Sequence, residues 1–156
     1  MRLRSVLEVV TALELTGCRF WVAGGWGVDV LVGKQTREHR DLDLAIDAAC
    51  EADALTVLGR LGYAIETDQR PARVELGAAG ERWVDLHPVR FDDDGRGEQS
   101  DLDGGAFEYP VGCFTVGRLG GLVVPCLTAA QQLRFRQGYP LRDVDRHDLA
   151  LLAGRS

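Results

Sequence analysis

The stretch Arg37–Asp47, REHRDLDLAID, constrains the fold more than any other part of this 156-residue chain. Side chains on a strand alternate between two faces. Leu42, Leu44 and Ile46 therefore share one face, and Asp41, Asp43 and Asp47 share the other with Ala45 between them. Aspartate is poor in strands, so the leucine face must supply the burial that holds this segment extended. The strand rise sets the Asp41 and Asp43 carboxylates about 6–7 Å apart. At an effective dielectric of about 20 they repel by about 2–3 kcal/mol. Two arrangements relieve that repulsion. One is a half-exposed edge strand screened by water, and the other is a cation bound between the carboxylates.

The flanking segments alternate helix and strand. Residues 5–15 carry apolar residues at helical spacing up to a stop at Gly17. Arg19–Ala23 reads as a short buried strand, Gly24-Gly25 as a turn, and Trp26–Val32 as a helix ended by Gly33. Lys34–Arg40 is a polar, mostly basic loop before the acidic strand. Glu51–Leu61 has helical spacing, and Tyr63–Thr67, Arg73–Leu76 and Arg82–His87 read as three strands. Asp92–Gly105 is acidic and glycine-rich, which predicts an exposed loop. Short strands are expected near Phe107–Tyr109 and Leu122–Val124. Thr128 is placed to cap a helix reaching about Gln137, and Arg142–Leu152 is the last expected helix. No repeat or linker divides the chain, so residues 1–156 are read as a single domain. The order predicts an α+β fold, a mixed α/β sheet with helices packed on it.

Bulk properties narrow the function. The net charge of −6 argues against a nonspecific nucleic-acid binder, which needs a basic surface. Glu8 and Glu14 interrupt the N-terminal apolar run, so it does not read as a signal peptide, and no segment has the roughly 20 apolar residues of a membrane span. The expectation is a cytoplasmic protein without a membrane partner. Cys18, Cys50, Cys113 and Cys126 lack the paired spacing of a zinc site and read as reduced, mostly buried thiols.

Four segments carry candidate chemistry. Gly24-Gly25 at a helix start exposes backbone N–H groups suited to phosphate, or is a simple tight turn. Lys34, Arg37, His39 and Arg40 suit a polyphosphate beside the acidic strand, or form a solvated loop. Asp85 lies within the apolar run WVDLH, where a carboxylate needs a partner to offset desolvation. If its strand neighbours Asp41–Asp47, the three carboxylates form an all-oxygen cluster of the kind that favours Mg²⁺ over zinc. His87 shares a face with Asp85, as an outer-layer group or a core histidine. Asp145 and Asp148, with Arg142 and Arg146, read as a surface ion-pair network.

Together these blocks resemble the polymerase-β-like nucleotidyltransferase superfamily, with its Gly-Gly turn, Asp-x-Asp pair and third carboxylate on a later strand. Fifteen residues, 26–40, separate Gly25 from Asp41, somewhat more than usual there. The segment GGWGVDVLVGKQTREHRDLDLAID is similar to the signature of small lincosamide nucleotidyltransferases. The likeness continues through LGYAIE, PARVEL, VDLHPV, the DDDG loop, VPCLTAAQQLRFRQGY and DRHDL, and so covers nearly the whole chain. Aminoglycoside 2''-type enzymes share the Gly-Gly-Trp and Arg-x-His-x-Asp-x-Asp blocks. Acids common in the lincosamide enzymes are replaced here by Ala23 and Ala45.

The resemblance implies transfer of a nucleoside monophosphate, usually AMP from ATP, onto a hydroxyl of a lincosamide such as lincomycin or clindamycin, releasing pyrophosphate. It implies Asp41 and Asp43 as the metal pair for Mg²⁺, two ions being expected. Asp85 becomes the third carboxylate and base, Gly24 and Gly25 the phosphate turn, and Arg37 and His39 phosphate contacts. Trp26, Asp29, Arg73 and Glu75 fall in shared blocks without an assigned role. An aminoglycoside or other small-molecule acceptor is the alternative, and a degenerate nucleotide-binding module is the alternative of another class. The small size suggests a homodimer whose partner helps wall the acceptor site.

Overall fold

A computed structural model describes residues 1–155. The leucine face of Leu42–Asp47 (β2) is buried completely, with Leu42, Leu44 and Ile46 all at 0% exposure. Each such side chain contributes about 1.5–3 kcal/mol relative to an exposed one. That face packs on helices Leu3–Glu14 (α1) and Glu51–Arg60 (α3), through Val6, Val10 and Leu13 of the first and Ala54 and Leu58 of the second.

β2 lies between Phe20–Val22 (β1), antiparallel to it, and Arg82–Phe91 (β5), parallel to it. Beyond β5 run Arg73–Ala78 (β4) and Ala64–Gln69 (β3), each antiparallel to its neighbour. Beyond β1 run Leu122–Leu127 (β9), parallel to β1, and Phe114–Leu119 (β8) at the edge. The order is β3-β4-β5-β2-β1-β9-β8, with Gly97–Ser100 (β6) pairing the far end of β5 and Ala106–Tyr109 (β7) pairing β6. Mixed pairing with helices on the sheet is the expected α+β arrangement.

Gly24–Val32 (α2) begins at Gly24 itself, so the Gly-Gly pair is the first turn of the helix and not a turn ahead of it. Gly33, at φ 92°, ends it in the left-handed conformation that glycine adopts freely. The last helices, Ala129–Arg134 (α4) and Asp143–Leu152 (α5), pack on α2 through Val28, Ala129 and Leu152. Thr128 caps α4 by accepting from the Gln131 N–H, but the helix stops short of Gln137.

Two expectations fail in informative ways. Asp92–Gly105 is not one exposed loop, since it contains β6, whose Gly97 and Gln99 are buried. Its ladder with β7 holds it extended where composition signalled a turn. β8 was not expected from the sequence, because Gly117 and Arg118 break its apolar alternation and only Leu119 is fully buried. No helix among the described residues is long and apolar enough to cross a membrane.

Candidate active site

The parallel register of β2 and β5 sets Asp43 directly beside Asp85, and Ala45 beside His87. On this face of the sheet, away from the α1–α3 core, opens a cavity of about 630 Å³. Gly24, Gly25, Arg37, His39, Asp41, Asp43 and His87 line it. Asp85 is buried beside them, 6% exposed. The side chain of His87 lies 3.4 Å from Asp43 Oδ1 and 3.8 Å from Asp85 Oδ2. Asp41 stands just ahead of β2 and is paired with Arg40 at 2.9 Å.

Burial pushes the Asp85 carboxyl up to about 6; the neighbouring Asp43 charge adds to this, while His87 and Arg73 oppose it. Arg73 reaches Asp85 at 3.3 Å and Glu75 at 3.5 Å, and Glu75 also receives Arg40 at 3.1 Å. Burial works to raise the Asp43 carboxyl too, but the His87 hydrogen bond and charge outweigh it and hold Asp43 below its ordinary value. The same contact, with the Asp85 charge, raises His87 against the effect of its own burial. Burial and the Asp43 charge raise Asp41.

The cluster fits a divalent cation. Asp43, Asp85 and His87 each offer a ligand atom, all within 4.8 Å of one another. Asp85 Oδ1 is buried without a hydrogen-bond partner, an expensive state that a cation would relieve.

The glycine pair is required by close approach. A Cβ on Gly24 would overlap Asp43 Oδ2, and one on Gly25 would overlap His39 Nδ1 and crowd Arg37. Gly24 also has φ of +57°, and no side chain caps the helix at Ala23. The first N–H groups of α2 therefore face the cavity beside the carboxylates.

The basic loop is held on three sides. Asp29, fully buried on α2, accepts from His39 at 2.5 Å, from the Thr36 N–H at 3.1 Å and from the Thr36 hydroxyl at 2.5 Å. Trp26 packs its ring 4.5 Å from that of His39. Asp148 on α5 takes both Nε and Nη2 of Arg37 at 3.0 Å and Nη2 of Arg136 at 2.9 Å. Arg40 turns to Asp41 and Glu75. These contacts give Trp26, Asp29, Arg73 and Glu75 structural parts that sequence spacing did not disclose.

The C-terminal acids correct the surface reading. Asp145 is 3% and Asp148 1% exposed. Asp145 receives Arg142 and the Tyr139 hydroxyl, and the Arg142 hydrogen bonds hold its carboxyl down at about 2. Residues missed in the sequence complete the wall: Gln99, Tyr109, Gln132 and Arg136, with Phe107, Phe135 and Tyr139 at the far end. The i, i+4 spacing of Gln132 and Arg136 was a usable signal for a shared helix side. Nothing near Gln99 marked it. Ala45 is fully buried under Val89 and Tyr109, so an acid there would lack both space and solvent.

The profile of a family described as aminoglycoside-2''-adenylyltransferase matches residues 5–152. A lincosamide resistance protein of Staphylococcus haemolyticus is 35% identical over 144 residues, 92% of this chain and 88% of that one. The crystal structure of a lincosamide antibiotic adenylyltransferase with lincomycin bound superposes with a TM-score of 0.87 at 33% identity, covering 98% of this chain and 97% of the other. The ANT(2'')-Ia enzyme, solved with adenylyl-2''-tobramycin, shares the fold at a TM-score of 0.80 and 17% identity, over 97% of this chain and 87% of that one.

Two outcomes follow from the electrostatics. Asp148→Ala leaves the buried Arg136 without its counter-ion and is expected to lose about 3–5 kcal/mol in a denaturant titration. Asp85 carries a raised folded-state pKa, so its ionisation penalises folding fully above about pH 6 and not below about pH 4, where both states are protonated. In metal-free buffer Asp85→Asn should therefore melt above the wild type at pH 8, and the gap should close as pH falls toward 4.

Proposed function

The chain belongs to the aminoglycoside-2''-adenylyltransferase family, and from that premise we propose that it transfers AMP from ATP to a hydroxyl of a lincosamide, releasing pyrophosphate. The observation that carries the reading is the register pairing of Asp43 with Asp85 beneath the first turn of α2, at the floor of a cavity. Identity above 30% with a lincosamide resistance protein along nearly the whole chain favours that acceptor. The family description itself favours an aminoglycoside as the second acceptor class.

Asp43 and Asp85, with Asp41 beside them, would hold two Mg²⁺ ions, which when bound neutralise charge on the triphosphate and on the leaving pyrophosphate. The α2 N-terminus, bare of side chains at Gly24 and Gly25, offers its N–H groups to the phosphates. Arg37 and His39 stand next to that turn, the first adding positive charge and the second a polar ring, already oriented by Asp148 and Asp29. Asp85 takes the proton from the acceptor hydroxyl. In the metal-free protein burial holds its pKa up at about 6, so it is ionised at neutral pH and able to accept a proton. The aromatic end of the cavity, at Phe107, Phe135 and Tyr139, gives the acceptor an apolar wall. A reaction that consumes ATP fits a cytoplasmic protein. The chain is small and leaves little length for a further acceptor-covering segment, so we assign the remaining wall to a second copy of the chain.

The test is mass spectrometry of lincomycin, clindamycin and an aminoglycoside panel after incubation with the protein, Mg²⁺ and each NTP. A nucleoside-monophosphate adduct on a lincosamide, abolished by EDTA, is expected. An adduct on aminoglycosides alone would reassign the acceptor, and none on any compound would overturn the reading. Asp43→Asn and Asp85→Asn should each lower kcat at least about 100-fold with the fold intact by circular dichroism. Light scattering should give a dimer, and a fully active monomer would refute the shared wall.

A further inference from the structure

The buried amide of Gln99 stands between the carboxylate cluster and the β6–β7 hairpin, and its neighbours fix its orientation. Its Nε2 lies 3.4 Å from the Ala72 carbonyl oxygen, which only a donor can face. Its Oε1 accepts from the Tyr109 hydroxyl at 2.7 Å. The same Nε2 is 3.2 Å from Nδ1 of His87. An amide nitrogen has only protons to offer, so Nδ1 must present its lone pair. In the neutral ring the proton then sits on Nε2. That nitrogen is the one that faces Asp43 and Asp85.

A histidine that ligates a metal through one nitrogen donates the N–H of the other to a carbonyl, a carboxylate or water. The surroundings of His87 are the reverse of this. Its outer nitrogen meets a donor, and its inner N–H is aimed at the carboxylates. We propose that Gln99 and Tyr109 are positioning residues that hold His87 as its Nε2–H tautomer, so that His87 donates to the Asp43–Asp85 pair and leaves an all-oxygen cation seat. The cation belongs to the nucleotidyl-transfer reading above, and the proposal rests on that reading. An all-oxygen seat suits Mg²⁺ or Mn²⁺ and disfavours Zn²⁺, which prefers imidazole and thiolate. The opposed groups also explain the residue type at position 99. A carboxylate there would accept from Nδ1–H and turn the Nε2 lone pair inward, making His87 a ligand.

The experiment is ¹⁵N NMR of the histidine side chains in the metal-free protein, with pH raised until the His87 signals stop shifting. The His87 signals are assigned by their loss in His87→Gln. The expected wild-type result is a protonated Nε2 and an unprotonated Nδ1, and this measurement needs no variant to fold. Gln99→Glu should reverse the tautomer and raise Zn²⁺ affinity relative to Mg²⁺ at least about tenfold by calorimetry. Tyr109→Phe keeps the ring packing on Phe114 and Phe135 and removes only the hydroxyl, so it should give mixed tautomers. A wild-type Nδ1–H tautomer, or an unchanged tautomer or metal preference in Gln99→Glu, would overturn the proposal. Failure of the underlying reading shows separately, as a wild-type protein without Mg²⁺-dependent turnover whose His87 tautomer is as expected.

Discussion

Everything in the site follows from one pairing, the parallel register that sets Asp43 beside Asp85. Two carboxylates on adjacent strands are held at short range by the backbone and cannot separate without breaking the ladder. The fold keeps them by paying with burial on the opposite face, where Leu42, Leu44, Ile46, Val84 and Leu86 have no exposure. The repulsion is then divided among neighbours. His87 lowers Asp43 and Arg73 reaches Asp85, while burial, with the Asp43 charge adding to it, leaves the Asp85 carboxyl raised and one of its oxygens unpartnered.

The basic side chains around the cavity are organised on the opposite principle. Arg37, His39 and Arg136 each have a buried acidic partner in Asp148 or Asp29. Long basic side chains lose much rotamer entropy when a ligand orders them. Here that ordering is already complete in the folded protein, which is the general condition for strong electrostatic action on a transferring group. The glycine pair belongs to the same design, because any side chain at Gly24 or Gly25 would overlap Asp43, His39 or Arg37.

The strand at Leu42–Asp47 was legible because alternation and burial coincide there, and Asp85 was legible because a lone carboxylate in an apolar run needs a polar neighbour. The C-terminal acids were not. A helix of alternating charges gives no sign of which side is covered, and α5 buries both acids, Asp145 against its neighbour Arg142 and Asp148 against Arg37, 111 residues away. Gln99 was hidden for another reason. The segment Gly97–Ser100 has no apolar pattern of its own, and its ladders with the end of β5 and with Phe107 and its neighbours make it a strand. Local composition reports turns well, but it cannot report a ladder formed with residues that follow it.

The Arg37–Asp148 bond joins positions 111 residues apart. During synthesis the sheet centre, β1, β2 and β5, is complete once Phe91 has emerged, and its hydrophobic face can close on α1 and α3 at that stage. Arg37 and Arg136 gain their shared counter-ion only when α5 follows, after another 50 or so residues, which take seconds at ribosomal rates. The nascent chain thus holds most residues of that core, all but Leu119, Val124 and Cys126 of its buried members, before it holds those that finish the site. The scaffold is made early and the catalytic pocket is completed among the last parts.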